Sequence, residues 1–169
     1  MFYHLTSQMK KGLGQLEHCL GKAISHAQTK GYDPNVLASM RLAPDQFALT
    51  RQVQVACDTA KTAVARLTGK EAPKHEDHEK TLDDLKLRIA SVIAWLDELG
   101  PDDFAGAAER VVTTPRWEGK VMTGADYFVE HALPNFFFHI TTSYAILRHN
   151  GVDLGKRDYL GPLSQRLPA

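Results

Sequence analysis

The chain has 169 residues, and its 20 basic and 20 acidic side chains give a formal net charge of zero. A duplex-binding protein usually carries a basic excess, so the composition argues against nucleic acid as a partner. No apolar run approaches the ~20 residues of a membrane span, and the N-terminus lacks a signal-peptide pattern. We therefore predict one domain over residues 1–169, located in the cytoplasm and without a membrane partner.

Three predicted helices follow one another in the first 100 residues, each with an apolar stripe at steps of three and four. They cover about 5–27, 44–68 and 81–99, and glycine or proline follows each of them. The stripe of the second helix contains Leu49, Val53, Ala56, Ala60, Val64 and Leu67. Cys19 and Cys57 lie in these helices among apolar neighbours, which favours two buried thiols over a disulfide or a catalytic thiol.

The fourth predicted helix begins at Thr123, a good N-cap residue with Asp126 three positions on, and it ends at Asn150-Gly151. Pro134 interrupts it, so the helix either kinks there or starts again with proline in its first turn. Before it, the β-branched residues 111–113 and the turn signal Glu118-Gly119 predict a short hairpin or an extended loop.

Four amphipathic helices bury their stripes against each other, so we predict an all-α four-helix bundle. The connections 31–44 and 110–122 are long enough for crossovers as well as for simple up-down topology. The connection 71–80 is rich in charge and is predicted to be solvated, as are its histidines His75 and His78, rather than forming a metal site.

A polar stripe runs along the second helix opposite its apolar stripe. Its members are Arg51, Gln54, Asp58 and Lys61. We interpret it as a solvated face with internal charge pairs, in preference to a partner surface. Gln52 lies instead at the edge of the apolar stripe, from which a side chain can point into a groove between helices.

Histidine spacing on the fourth helix argues against a metal site there. His131 and His139 are eight residues apart and His139 and His149 are ten apart. These separations are roughly 12 and 15 Å along a helix axis, too far for two ligands of one ion. The Glu-x-x-His pattern of di-iron carboxylate proteins is absent. His139, with Asn135 and Thr142, lies at the margin of the apolar face.

The run Phe136-Phe137-Phe138 directs aromatic rings to three sides of the fourth helix. At least one ring must leave the local core, which predicts a second buried surface such as a homodimer interface. The zero net charge permits such self-association.

Two stretches resemble a bacterial family of unknown function, number 1993: RLAPDQFALTRQVQVACDTAK at 41–61 and LPNFFFHITTSYAILRHNGVDLGKRDYLG at 133–161. That family is similar to the DinB-like/YfiT-like superfamily of four-helix bundles, which commonly dimerise. Many superfamily members bind a divalent metal through one histidine on helix two and two histidines, four residues apart, on the last helix. Characterised relatives include thiol-dependent transferases and an isomerase.

The resemblance implies an incomplete ligand set for zinc or nickel. The closing His-Arg-Gly of the superfamily resembles His149-Asn150-Gly151, and the partner histidine falls on Ala145. The histidine of helix two falls near Gln52 or Gln54. His149 is then the one remaining candidate ligand, so the prediction for a resident metal is none.

Two interpretations of the function follow, and the residues leave open whether the chain is an enzyme. The first is a non-metal-binding or degenerate family member with a structural, interaction or small-ligand-binding role. The alternative is a metal- or histidine-dependent hydrolase or transferase, similar to the thiol transferases, with a relocated site. Its candidate catalytic residues are His139, Tyr144 and Gln52.

Overall fold

The computed structural model of the chain describes residues 1–167. Four long helices form a bundle: α1 (Phe2–Lys30), α2 (Leu49–Thr68), α3 (Leu82–Asp97) and α5 (Leu133–His149). Two short helices, α4 (Gly124–Asp126) and α6 (Lys156–Leu160), precede and follow α5. Single 3-10 turns occupy Pro34–Ser39, Pro101–Phe104 and Pro115–Trp117. The predicted all-α bundle is confirmed.

The long helices are not arranged around the bundle in chain order. α2 packs against α3 and α5, and α1 packs against the same two helices. α1 and α2 therefore lie on one diagonal of the bundle, although they are consecutive in the chain. The connection between them crosses the end of the bundle through the turn Pro34–Ser39, so the crossover alternative is the one adopted.

Local signals place most helix ends where they were predicted. Gly31 and Gly69 adopt the left-handed conformation with φ of 76° and 77° and close α1 and α2. Thr81 caps α3 by accepting a hydrogen bond from the amide of Asp84. α2 begins later than predicted, because the preceding residues form a turn and the amide of Leu49 donates to the Met40 carbonyl at 2.9 Å.

The segment before Pro134 is a π-helix, Tyr127–Ala132, which continues from α4 into α5. The backbone stays helical through Ala132 and Leu133, so the helix does not start again at Pro134. The proline is accommodated within one continuous helix, directly after the π-helical turn, and the alternative of a new helix is not adopted. Thr123 caps α4 and accepts from the Asp126 amide, as predicted.

A minimal hairpin packs beside α4. β1 (Val111–Val112) pairs antiparallel with β2 (Met122–Thr123), so of the two predicted alternatives, hairpin or extended loop, the hairpin is adopted. Gly124, the residue after β2, packs directly against the backbone of Ala107. A Cβ at this position would lie 1.9 Å from the Ala107 carbonyl oxygen. Only glycine allows this approach between the hairpin and the segment before it.

The core is built from the predicted stripes, and all six stripe residues of α2 are fully buried. Cys19 and Cys57 are free and buried, and burial raises the pKa of their thiols to about 11 and about 12. Phe136 points into the core, whereas Phe138 leaves it and is 55% exposed. Within residues 1–167, no helix combines the length and hydropathy that crossing a membrane requires.

Candidate functional site

Gln52 and His139 meet in the contact between α2 and α5. Both residues are buried, with 1% and 6% of their surface exposed. His139 Nδ1 lies 2.6 Å from Gln52 Oε1. Gln52 was expected to point into a groove between helices, and it lies buried in the contact between α2 and α5, where its partner is the histidine at the margin of the apolar face of α5.

The orientation of the Gln52 amide determines which nitrogen of His139 carries the proton. Gln52 Nε2 donates to the Phe47 carbonyl at 3.2 Å, so Oε1 is the atom that faces the imidazole. An amide oxygen only accepts, so His139 Nδ1 donates and carries the hydrogen. In the neutral ring the lone pair then resides on Nε2.

His139 Nε2 is not closed off. It has no hydrogen-bond partner among residues 1–167. It is also absent from the buried, unpaired polar atoms of that part of the chain, so solvent can reach it. The Phe138 ring stands edge-on beside the imidazole, with centroids 5.2 Å apart. Burial, and then the nearby Arg51 guanidinium, lower the pKa of His139, so the ring is neutral near pH 7.

A second polar contact joins the same two helices. Asn135 Nδ2 donates to Thr59 Oγ1 at 2.8 Å. Thr142 does not take part, because its hydroxyl donates to the Phe138 carbonyl one turn earlier on α5. The contact between α2 and α5 therefore holds two neutral hydrogen-bonded pairs, and in the one with His139 a nitrogen lone pair remains free.

Tyr144 lies in a different environment. Its hydroxyl donates to the Leu154 carbonyl at 3.5 Å, and its ring packs edge-on against Tyr159. The structure thus brings together two of the three candidate catalytic residues, His139 and Gln52. In the C-terminal segment, Tyr159 packs back onto the bundle, whereas Leu160 is 40% exposed.

The positions that the resemblance assigns to metal ligands do not fit a metal. His149 is exposed at the end of α5, and Ala145 has no ligating atom. Gln52 is committed to His139 and the Phe47 carbonyl, and Gln54 donates to Glu79 at 2.8 Å. Among residues 1–167, no three or more side chains of His, Cys, Asp or Glu are grouped to hold an ion.

The polar stripe of α2 is not a solvated face, which corrects the prediction. Gln54 and Lys61 are buried, and α3 contributes Arg88, which is also buried. Arg88 donates to Asp58 at 2.6 Å, to Asp77 at 2.7 Å and to Glu79 at 2.9 Å. Burial opposes the charge on Arg88, but its hydrogen bond to Glu79 and the Asp58 charge outweigh this effect and raise its pKa.

The connection 71–80 covers this stripe and is only partly solvated, which is a second correction. His75 Nδ1 lies 2.8 Å from Lys61 Nζ, and its Nε2 lies 3.3 Å from Ser91 Oγ. An ammonium only donates, so Nδ1 accepts and the ring is neutral. Burial, followed by the Lys61 charge, lowers the pKa of His75. His78 is exposed, as expected.

Arg88 was missed by the sequence reasoning, although a signal for its burial exists. It follows Leu85 by three residues and precedes Val92 by four, so it falls within the apolar spacing of α3. An arginine at a core position of a helix requires carboxylate partners. The connection 71–80, which contains Glu71, Glu76, Asp77 and Glu79, is one place in the sequence that could supply them.

An open groove lies elsewhere, between α1 and the C-terminal segment. It has a volume of about 740 Å³ and includes His18, Asp158 and Gln15 in its lining. His18 Nε2 lies 2.8 Å from Asp158 Oδ1. The amide of Gly155, and then His18, hold the pKa of Asp158 down at about 2. Because Asp158 caps α6, this structural role explains the His18–Asp158 pair without a ligand.

Comparison with known proteins agrees with the fold. The model of the family described as "Domain of unknown function (DUF1993)" matches residues 1–160. The crystal structure of a DinB family member protein from Shewanella denitrificans is 52% identical, with a TM-score of 0.96 over 99% of this chain and 96% of that one. No protein with a curated description matches significantly. The chain belongs to the DUF1993 family and has the fold of a DinB family member.

Proposed function

We propose that the chain is a small-molecule-binding member of its family, and that His139 is the group that meets the ligand. The observation that supports this is the state of the His139 ring. Its Nδ1 is held by Gln52, and its Nε2 lone pair is open although the residue is otherwise buried. Such a nitrogen accepts a hydrogen bond, or a proton, from a ligand.

His139 is buried as a residue, yet its Nε2 has no protein partner among residues 1–167 and is not sealed from solvent. A donor group of a ligand can take the place of solvent at this nitrogen. The exposed Phe138 ring beside it, and Phe47 with 54% exposure next to the Gln52 contact, offer apolar surface to the body of a ligand. The expected ligand is therefore small and partly apolar, with an O–H or N–H donor.

Phenol and anisole form a matched pair of probes, because only phenol has the donor. We expect millimolar phenol to shift the Nε2 resonance of His139 saturably in nitrogen-15 spectra, and anisole at the same concentration to leave it unchanged. The His139→Gln variant should show no response in the surrounding amides. Equal responses to both probes, or no response to either, would count against the proposed acceptor.

Chemical modification tests the free lone pair directly. Diethyl pyrocarbonate acylates neutral imidazoles with an accessible nitrogen, and peptide mass spectrometry assigns the modified residue. We expect His139 to react at pH 7 and His75 to react slowly, since both nitrogens of His75 are engaged. An unreactive His139 in the folded protein would show that Nε2 is closed.

Metal-independent action is part of the proposal, because the donor set at the positions of the family ligands does not suit zinc or nickel. Protein purified without an affinity tag should contain less than stoichiometric amounts of either metal by elemental analysis. One equivalent of metal that disappears in the His149→Ala variant would overturn this part of the proposal.

A hydrolase or transferase is the second candidate, favoured by the same free Nε2. A neutral histidine fixed by a second side chain is suited to act as a general base or a nucleophile. p-Nitrophenyl acetate is a suitable probe of this reactivity. Hydrolysis above the buffer rate that is lost in His139→Gln but retained in Tyr144→Phe would favour this candidate over simple binding.

We also propose that the chain forms a homodimer through the surface that contains Phe138. This ring is more than half exposed, and the net charge of zero gives little repulsion between copies. Light scattering at tens of micromolar should give the mass of a dimer, and Phe138→Lys should reduce it. A monomer mass for the unaltered chain would contradict the proposal.

A further inference from the structure

The segment 71–80, which we call the strap, joins α2 to α3 without helix or strand. None of its residues is buried, and its only apolar members, Ala72 and Pro73, are half-buried. The side-chain contacts that hold the strap to the bundle are polar. Hydrophobic burial therefore contributes little to keeping it in place.

Two acidic residues of the strap make most of these contacts. Asp77 accepts from Arg88 at 2.7 Å and from Arg51 at 2.6 Å. Glu79 accepts from Arg88 at 2.9 Å and from Gln54 at 2.8 Å. Asp77 lies in a bend with a left-handed φ of 57°, and from this bend the carboxylates of Asp77 and Glu79 both reach Arg88.

The surface under the strap is cationic. The side chains of Arg88 and Lys61 are only 1% and 9% exposed, and the bundle itself supplies one carboxylate to them, Asp58, at 2.6 and 3.0 Å. Without Asp77 and Glu79, the cations Arg51, Lys61 and Arg88 would face Asp58 alone. Arg88 Nε is buried and has no partner among residues 1–167.

We infer that Arg51, Lys61 and Arg88 form a binding site for a carboxylate-rich peptide segment, which the strap occupies as an internal ligand. The partner would present two acidic residues separated by one position, as Asp77 and Glu79 do. Arginine binds carboxylates with charge-assisted hydrogen bonds, and the strap already shows the geometry that an external segment would copy. This site is centred on Arg88, on the α3 side of α2, and Arg51 is the member of it that also lies near His139.

The first part of the test loosens the strap. In the double variant Asp77→Asn, Glu79→Gln we expect trypsin to cut after Lys74, whose side chain is 90% exposed, severalfold faster than in the unaltered chain. The matched control is Glu71→Gln, Glu76→Gln, which alters two exposed carboxylates whose ion pairs stay within the strap. The control should be cut at the unaltered rate.

The second part measures binding by fluorescence anisotropy of a labelled peptide with the strap sequence EAPKHEDHEK. It should bind the loosened variant saturably and the unaltered chain at least tenfold more weakly. The same peptide with Asn and Gln at the positions of Asp77 and Glu79 should not bind. Raising the salt concentration should weaken the complex, because the partly exposed charge pairs are screened.

No binding to a folded, faster-cut variant would overturn the inference, because the cationic site would then serve the strap alone. Equal binding of a single-stranded oligonucleotide would overturn the assignment to an acidic peptide. If circular dichroism shows that the variant does not fold, the test is made on the unaltered chain instead. Millimolar strap peptide with acetylated lysines, which trypsin does not cut, should then accelerate tryptic cleavage of the chain after Lys74, and an unchanged rate would reject the site.

Discussion

The two sides of α2 bury polar groups in different ways. Toward α5, Gln52 and Thr59 each make one neutral hydrogen bond to a residue of the neighbouring helix, and His139 keeps a nitrogen open. Toward α3, three cationic and three acidic side chains bind one another around Arg88. A neutral group can be left unmatched at modest cost, whereas a buried charge requires its partners.

The largest loss of stability is expected when Arg88 is replaced, because its buried charge requires its carboxylate partners. Arg88→Met should remove the cation that three carboxylates share and lower the free energy of unfolding by about 3 kcal/mol. We expect the lower part of the usual range because Asp58 and Asp77 remain one-third exposed, at 33% and 38%. Urea denaturation measures the change.

Lys86→Met, on the same helix, is the control for Arg88→Met. Lys86 makes only an exposed pair with Asp83 at 3.7 Å, so its loss should change stability by less than about 0.5 kcal/mol. If Arg88→Met lowered the free energy of unfolding no more than Lys86→Met does, the charge network on the α3 side of α2 would contribute no more to stability than solvated surface charges.

A smaller effect is expected on the neutral side. Gln52→Leu leaves the Nδ1–H of His139 and the Phe47 carbonyl unpaired, which should cost about 1–2 kcal/mol in urea denaturation. Thr59→Val removes the neighbouring contact to Asn135, which is only half-buried and can bind water instead, so its cost should be smaller. A larger loss for Thr59→Val than for Gln52→Leu would contradict this order.

The pH dependence of stability compares the two sides in one measurement. The pKa values of His139 and His75 are lowered by the fold, so the unfolded chain binds more protons as the pH falls. This contribution is complete above the ordinary histidine pKa of about 6.5 and is lost as the pH falls through the folded-state values. Stability should therefore be lower at pH 5.5 than at pH 7.5.

Single substitutions separate the two histidines. His139→Gln and His75→Gln should each reduce the loss of stability between pH 7.5 and 5.5, and His131, whose pKa is also lowered by burial, should account for part of the remainder. On the charged side, hydrogen bonds from Arg88 outweigh burial and hold the pKa of Asp77 and Glu79 low. Their contribution should disappear only below about pH 4. An unaltered pH dependence in His139→Gln would show that its ring is not held neutral.

Much of the local structure and part of the candidate site follow from the sequence. Gly31 and Gly69 close their helices, Thr81 and Thr123 open theirs, and the stripe residues of α2 are buried, because each of these features depends on neighbours within one or two turns. The position of Gln52 at the edge of its stripe was likewise readable, since helical periodicity gives the direction of a side chain from the helix axis.

The tertiary structure decided which elements those faces meet. The diagonal placement of α1 and α2, the pairing of Gln52 with His139, the direction of Tyr144 and the strap over Arg88 all join residues far apart in the chain. Periodicity states that Arg51, Gln54, Asp58 and Lys61 share a face, but not whether water or a buried arginine lies against it. Whether this face is solvated or buried depends on the free energy of bringing all the charged side chains of the network together in the folded protein. No local pattern in the sequence contains this information.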